Sequence, residues 1–227
     1  MTEREKILAR VREALRVAAP LPGSHGETHL STSAKIISTA RQWLPKVGES
    51  FDEQLALFAK NTAELKADVQ LLNSADEMRS ALVRLRDAEK WQRAACHTAD
   101  LTNAICPPLD IPLLRTDKPY DVHELEQCDV GISECDALVA QTGSVVVTNR
   151  SAGGRALSVL PPHHIVLARR EQLVADLPAA FELLQQKYAA NYPSMISLIT
   201  GPSRTGDIER ILVLGAHGPK KLTILCF

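Results

Sequence analysis

The sequence has few aromatic residues, no long apolar run and almost no net charge. Aromatic side chains make up 4% of the 227 residues, and 26 Lys and Arg nearly balance 27 Asp and Glu. No apolar run approaches the ~20 residues of a membrane helix, and a nucleic-acid-binding surface normally carries excess basic charge. The charged, amphipathic N-terminus is unlike a signal peptide. We therefore expect a cytoplasmic protein with no membrane span and no nucleic-acid partner.

The cysteines also lack the spacing of a metal site. No two of them form a C-x-x-C pair, so the usual zinc and iron–sulfur patterns are missing. Reduced thiols are the default in a cytosolic chain. We expect no metal site and no cofactor held by this chain. The cysteines are Cys96, Cys106, Cys128, Cys135 and Cys226.

The N-terminal stretch is separated from the rest by a linker. Residues 2–17 predict a helix with an apolar stripe, and the stretch AAPLPGSHGETHL that follows is rich in Pro and Gly. The helix packs either on its own domain or on another subunit. We predict a helix and linker over residues 1–30 and one α/β domain over residues 31–227.

Helical and strand patterns alternate through the rest of the chain, which is typical of a mostly parallel sheet covered by helices. Turn signals occur at Gly131 and at Thr142-Gly143. The predicted helices cover 33–44, 51–66, 74–90, 174–191 and 205–212, and the predicted strands cover 68–72, 93–97, 163–168, 195–200 and 221–227.

The stretch LITGPSRTGDIERILVLGAHGP, residues 198–219, contains the first candidate site. Its apolar start predicts a strand of the parallel sheet, and ligands gather beyond the carboxyl ends of such strands. The loop of Gly201, Ser203, Arg204 and Thr205 would then hold a phosphate or carboxylate, with Arg204 as a fork-shaped donor. The alternative is an ordinary turn and a capped helix, with Arg204 in solvent.

Three other Gly-containing polar loops are candidates for the same pocket. The second, residues 151–165, contains Gly154 and Arg155 and ends in His163 and His164, which point to opposite faces if the chain is extended. The third is the turn Gln141-Thr142-Gly143-Ser144, for which a plain hairpin turn is the alternative. The fourth is His217 and Gly218, for which a surface loop is the alternative. One edge of the sheet would gather all four.

Three runs, in this order, resemble the LUD-domain family and its lactate utilisation protein C branch. They are VGISECDALVAQTGSVVV, GGRALSVLPPHHIVLA and GPSRTGDIERILVLGAHGPKKLTILC. The resemblance is close over residues 120–220. It implies a NagB/RpiA/CoA-transferase-like α/β fold, mostly parallel and flanked by helices, with an N-terminal helical extension. It also implies a role in oxidising L-lactate to pyruvate, shared with two iron–sulfur partner proteins that would hold the clusters, and a small organic acid as ligand.

The resemblance assigns pocket-lining positions but no catalytic residue. His164, the histidine followed by Ile, is the one that matches the family. Gln141 stands where the family often has Glu, and Gly206 where it often has Ala. The matching positions are Gln141, Thr142, Gly143, Gly154, Arg155, Ser158, Pro161, His164, Gly201, Pro202, Ser203, Arg204, Thr205, Asp207, Glu209, His217 and Gly218.

Two other functions stay open from the sequence. One is a free-standing enzyme of the CoA-transferase or 5-formyltetrahydrofolate cyclo-ligase type, which would bind a nucleotide or CoA ligand. The other is a binding or regulatory module that docks on a partner through the helix at residues 2–17.

Overall fold

The computed structural model describes residues 3–14, 16, 45–189, 191–205, 213–215 and 217–227. The chain divides into two units, Met1–Leu44 and Pro45–Phe227. In the first unit, helix α1 spans Glu3–Ala14, in agreement with the predicted N-terminal helix. Its apolar Ile7 and Leu8 are 59% and 40% exposed. The helix predicted over 33–44 lies outside the described residues.

The second unit alternates helices and strands along most of its length. Its helices are α2 (Phe51–Glu64), α3 (Ala75–Glu89), α4 (Asp100–Ile105), α5 (Val122–Glu126) and α6 (Leu177–Tyr188), with short 3-10 helices at Pro107–Leu109 and Arg170–Gln172. Its strands are β1 (Asp68–Leu71), β2 (Ala94–Cys96), β3 (Leu113–Arg115), β4 (Val130–Glu134), β5 (Ala137–Val139), β6 (Ser144–Thr148), β7 (His163–Ala168), β8 (Leu173–Val174), β9 (Ile196–Ile199), β10 (Arg204–Thr205), β11 (Val213–Leu214) and β12 (Lys221–Cys226).

Side-chain caps begin the main helices of the second unit. Ser50 and Glu53 form a reciprocal capping box at the start of α2. The hydroxyl of Ser74 accepts a hydrogen bond from Glu77 N at the start of α3, and Asp176 caps α6 in the same way. These caps satisfy amide groups that would otherwise lack partners, and so they fix where each helix begins.

Six strands form a parallel sheet in the order β1-β12-β7-β4-β2-β3. Every neighbouring pair in this sheet runs parallel. The predicted strands 68–72, 93–97, 163–168 and 221–227 all belong to it. The prediction of a mostly parallel α/β sheet is therefore confirmed.

A second, four-stranded sheet in the order β8-β5-β6-β9 was not predicted. β5 and β6 form an antiparallel hairpin whose turn contains Thr142-Gly143, as the turn signal there predicts. β9 pairs antiparallel to β6, so the strand predicted over 195–200 belongs to this second sheet and not to the parallel one. The predicted position of the loop after it, at the carboxyl edge of the parallel sheet, is therefore wrong.

The apolar side chains bury these elements in stacked layers. One face of the parallel sheet packs on α3 and α4 through residues such as Leu82, Ile132 and Leu167. The other face packs on the second sheet and α2, where Val166 and Val145 lie in one cluster. The far side of the second sheet packs on α6.

Gly131 lies inside β4, and the turn predicted at this glycine is wrong. A Cβ atom at this position would lie 2.4 Å from the carbonyl oxygen of Leu157. Glycine is present because the segment 149–162 crosses this face of the sheet in direct backbone contact with the strand.

Candidate functional site

Three of the four predicted loops meet in one place, which we call the turn cluster: residues 141–144, 200–205 and 217–219. The end of β9 lies beside the start of β6, with Ile199 opposite Val145. The Ser144 hydroxyl donates to Thr142 Oγ1 and lies 2.8 Å from Thr200 Oγ1. The antiparallel pairing of β6 and β9 thus joins two loops that are far apart in the sequence.

Helix α2 holds the first of these loops. Asn61 Nδ2 donates hydrogen bonds of 2.9 Å to the carbonyl oxygens of Ala140 and Gln141. Gly143 has a φ of +62° and lies against Asn61 and Thr62, where a Cβ atom would come within 2.9 Å of both. The turn therefore requires glycine both for its conformation and for its contact with the helix.

Gln141 acts as a hydrogen-bond donor here. Its Nε2 donates to Pro45 O at 2.7 Å, and a carboxylate in its place cannot donate at neutral pH. Its buried Oε1 has no partner among the described residues. The side chain thus ties the turn to the segment that precedes α2, and this geometry gives no support to a nucleophile at this position.

Arg204 does not begin a helix, contrary to the sequence prediction. Arg204 and Thr205 form strand β10, paired antiparallel with Leu214 and Val213 of β11. Ser203 N donates to Pro219 O and Gly215 N donates to Ser203 O, both at 2.9 Å, so backbone pairing takes the place of the predicted helix start. Asp207 and the rest of the predicted helix, residues 206–212, lie outside the described residues.

The Arg204 side chain is exposed and folds back over the Gly201 turn. Gly201 has a φ of +87°, and a Cβ atom there would lie 3.3 Å from Arg204 Nη2. Arg204 has no ion-pair or hydrogen-bond partner within the part of the chain that the structure describes. Its guanidinium is available to a carboxylate or phosphate.

The last loop completes the turn cluster beside Ser203. His217 is exposed, and a Cβ atom at Gly218 would lie 3.2 Å from Ser203 Cβ. The cluster thus presents the exposed residues Thr200, Arg204 and His217, whose hydroxyl, guanidinium and imidazole are suited to a small oxyanion.

Gly154 and Arg155 do not join the turn cluster, so the prediction that one edge gathers all four loops is wrong. They follow β6, and the turn cluster lies at its other end. Arg155 Nη2 donates to Ser194 O at 2.9 Å. Thr116 Oγ1 donates to Gly153 O at 2.7 Å. These contacts place this loop at the carboxyl end of the parallel sheet.

His163 and His164 point to opposite faces of β7, as predicted. His164 Nε2 lies 2.8 Å from Ser133 Oγ, and His163 Nε2 lies 3.0 Å from Thr223 Oγ1. Burial lowers the pKa of His163 to about 4 and that of His164 to about 3. Both are neutral at pH 7, and His164 lies inside the sheet packing, not on the surface of the turn cluster.

His97 is a polar residue whose position the sequence analysis missed. It follows β2. The chain leaves β2 and the neighbouring β4 in opposite directions across the sheet, and α/β proteins often bind ligands between two such strands. Burial lowers its pKa, and neither ring nitrogen has a partner among the described residues. A polar residue directly after the apolar run Ala94–Cys96 was the signal available in the sequence.

The described part of the chain contains neither a metal-binding cluster nor a membrane-spanning helix. No group of three or more His, Cys, Asp or Glu residues is arranged there to hold a metal ion. All five cysteines are buried free thiols. No helix among the described residues combines the length and the apolar character that crossing a membrane requires.

Relatives of this chain are similar to it over about half of its length. It is 37% identical over 132 residues to lactate utilization protein C of Shouchella clausii (58% of each chain), and 36% identical over 103 residues to that of Bacillus subtilis (44% of this chain, 43% of the other). It is 34% identical over 105 residues to that of Anoxybacillus flavithermus, covering 46% of each chain. The chain thus spans about half the length of the curated relatives it matches.

A solved structure confirms the fold. The crystal structure of a DUF162 family protein from Deinococcus radiodurans superposes with a TM-score of 0.61 at 20% identity, covering 79% of this chain and 99% of that one. At this identity the likeness concerns the fold alone. The family model described as LUD domain matches residues 116–226, which include β4 to β12 and the turn cluster. Over residues 116–226 this chain is similar to the LUD-domain family.

Proposed function

We propose that this chain acts in the oxidation of L-lactate to pyruvate, as a component without iron–sulfur clusters that works with two iron–sulfur proteins. The relatives named lactate utilization protein C support this function. The cysteine spacing offers no cluster-binding pattern, so the proposal assigns the redox centres to the partners.

We further propose that the turn cluster holds a small carboxylate or phosphate through Arg204. One observation carries this proposal: the first and third sequence motifs, about 60 residues apart along the chain, meet at the 2.8 Å contact of Ser144 and Thr200 beside the exposed guanidinium. Because Arg204 lies next to a glycine turn, an oxyanion can reach both its side chain and the backbone of the loop.

A thermal-shift screen tests the ligand site. The wild type, Arg204→Ala and the matched control Arg84→Ala, which changes an exposed arginine of α3, are compared with L-lactate, pyruvate, ATP, NADH, CoA and a folate. A ligand at 100 times its Kd stabilises the folded state by about 2.7 kcal/mol. We expect a shift that Arg204→Ala abolishes and Arg84→Ala retains. A shift that survives Arg204→Ala, or no shift at all, contradicts the anion site.

Growth and co-purification test the role in lactate oxidation. A strain without this chain should grow poorly on L-lactate and normally on pyruvate, and the tagged chain should co-purify with the two iron–sulfur proteins. Normal growth on lactate, together with no co-purification, contradicts the proposed function whatever the thermal-shift result.

A further inference from the structure

A pocket of about 190 Å³ lies at the amino ends of β7 and β12, next to the turn cluster but lined by other residues. It is smaller than the roughly 300–1,000 Å³ of typical drug-sized sites, so it suits a ligand of few atoms. Pro162, His163, Lys220 and Lys221 line it from the two strands, and Trp91 lines it from the end of α3.

The protein holds the walls of this pocket in place. The backbone N–H groups of Lys220 and Lys221 both donate to Pro162 O, at 2.8 and 3.2 Å. The Trp91 and His163 rings meet edge to face, with centroids 5.4 Å apart. The pocket therefore has a preformed wall in which apolar rings lie beside a polar imidazole.

The imidazole of His163 lacks one hydrogen-bond partner. The residue is 5% exposed, and Nε2 is bonded to Thr223. Nδ1 is buried and has no partner among the described residues. A buried polar atom without a partner is unfavourable, so an oxygen of a pocket ligand would relieve this cost.

The charged groups of the lining leave one cation unpaired. Lys221 Nζ contacts both oxygens of Glu89, at 2.7 and 2.5 Å. Asp129 Oδ2 accepts hydrogen bonds from the backbone of Gln92 and Arg93. Lys220 is exposed, and its ammonium has no partner in the part of the chain described.

We propose that this pocket binds a small monocarboxylate. Its carboxylate pairs with Lys220, a hydroxyl or keto oxygen on the neighbouring carbon bonds to His163 Nδ1, and its carbon atoms lie against Trp91 and Pro162. A ligand with one negative charge matches the one free ammonium. Phosphate carries more negative charge at pH 7, so the carboxylates of Glu89 and Asp129 in the lining repel it more strongly. The pocket does not depend on the proposed function, because its evidence is independent of the turn cluster.

Imidazole NMR of the full chain tests this site. The protein is labelled with ¹⁵N-histidine and titrated at pH 7 and constant ionic strength with L-lactate, pyruvate, acetate and inorganic phosphate. We expect L-lactate or pyruvate to shift the His163 ring signals saturably. Acetate should bind more weakly because it has no hydroxyl or keto oxygen on the carbon next to its carboxylate. The His97 and His164 signals serve as internal controls and should stay in place.

Two charge variants sharpen the test. Lys220→Gln should weaken binding at least tenfold, while the matched control Lys118→Gln, an exposed lysine beyond β3, should leave it unchanged. Asp129→Asn should tighten binding, because it removes a like charge. Unchanged His97 and His164 signals verify that each variant is folded.

The possible outcomes separate this site from the proposed function. No saturable His163 shift, stronger binding of phosphate than of the carboxylates, or equal binding by Lys220→Gln and the wild type overturns the monocarboxylate pocket. Carboxylate binding in a protein whose deletion leaves growth on lactate normal upholds the pocket and contradicts the proposed function. A growth defect on lactate without His163 shifts contradicts the pocket and upholds the proposed function.

Discussion

The hydroxyl of Ser133 and Nε2 of His164 lie 2.8 Å apart between two neighbouring strands of the parallel sheet. Both residues are fully buried. His164 Nδ1 has no partner among the described residues, so Ser133 supplies the one side-chain hydrogen bond that the structure gives this imidazole. The pair thus joins β4 to β7 in addition to the backbone ladder.

Replacing Ser133 by Ala should destabilise the fold by about 1–3 kcal/mol, because it leaves a buried imidazole nitrogen without a partner. Urea unfolding followed by circular dichroism measures the loss. Ser194→Ala, at an exposed position, is the matched control and should change stability by no more than about 0.5 kcal/mol. Equal stability of the two variants would show that the hydrogen bond contributes nothing to folding.

The buried histidines make stability depend on pH. The pKa values of His163 and His164 are lowered to about 4 and about 3, against about 6.5 in the unfolded chain. Below pH 6.5 the unfolded state therefore binds protons that the folded state does not. Their contribution is complete above pH 6.5 and is lost as the pH falls towards 4.

We expect the free energy of unfolding to fall between pH 6.5 and pH 4.5 by up to about 1.4 kcal/mol per pH unit for each of these histidines. Carboxylates titrate mostly below this window, so they affect it little. Urea midpoints at pH 7.5, 6.5, 5.5 and 4.5 measure the trend. A flat profile across this range would mean that the imidazoles are protonated in the folded state.

Local patterns in the sequence predict most of the elements but not their assembly. The predicted cap at Ser74 and the apolar and β-branched runs place helices and strands near where they lie. The pairing of β9 with β6 depends on contacts between residues about 50 apart, with Ile199 opposite Val145. No local pattern contains this information, and for that reason the second sheet was missed.

The candidate site was predictable to a similar degree. The residue types around Gly143 and Gly201 indicate tight turns, and both have positive φ. The helix-like pattern after Arg204 placed it at a helix start, although its charge is unfavourable there, but the backbone pairing of Arg204 with Leu214 decides its conformation. His97 escaped notice because its interest comes from burial and strand order, which only the assembled sheet reveals.

Asp136 is a buried carboxylate that ties the start of β5 to the end of α6. It accepts hydrogen bonds from Lys187 Nζ at 2.7 Å, and from Tyr188 Oη and Ser151 Oγ at 2.6 Å each. Burial raises the pKa of Asp136, but the hydrogen bonds from these three donors outweigh it and hold the pKa below its ordinary value. The group is therefore ionised at neutral pH with every donor around it satisfied.

Replacing Asp136 by Asn should cost about 3 kcal/mol, because the amide turns a donor towards groups that themselves donate and leaves Lys187 without its charge partner. Glu89→Gln is the matched comparison, since it breaks an exposed pair with Lys221 and should cost less than about 1 kcal/mol. Urea unfolding of both variants at pH 7 measures the difference. Lys187 is half exposed, so water can solvate its ammonium in the Asp136 variant, and a loss at the low end of the buried-pair range is expected. A smaller loss for Asp136→Asn than for Glu89→Gln would mean that the three hydrogen bonds only offset the cost of burying the carboxylate.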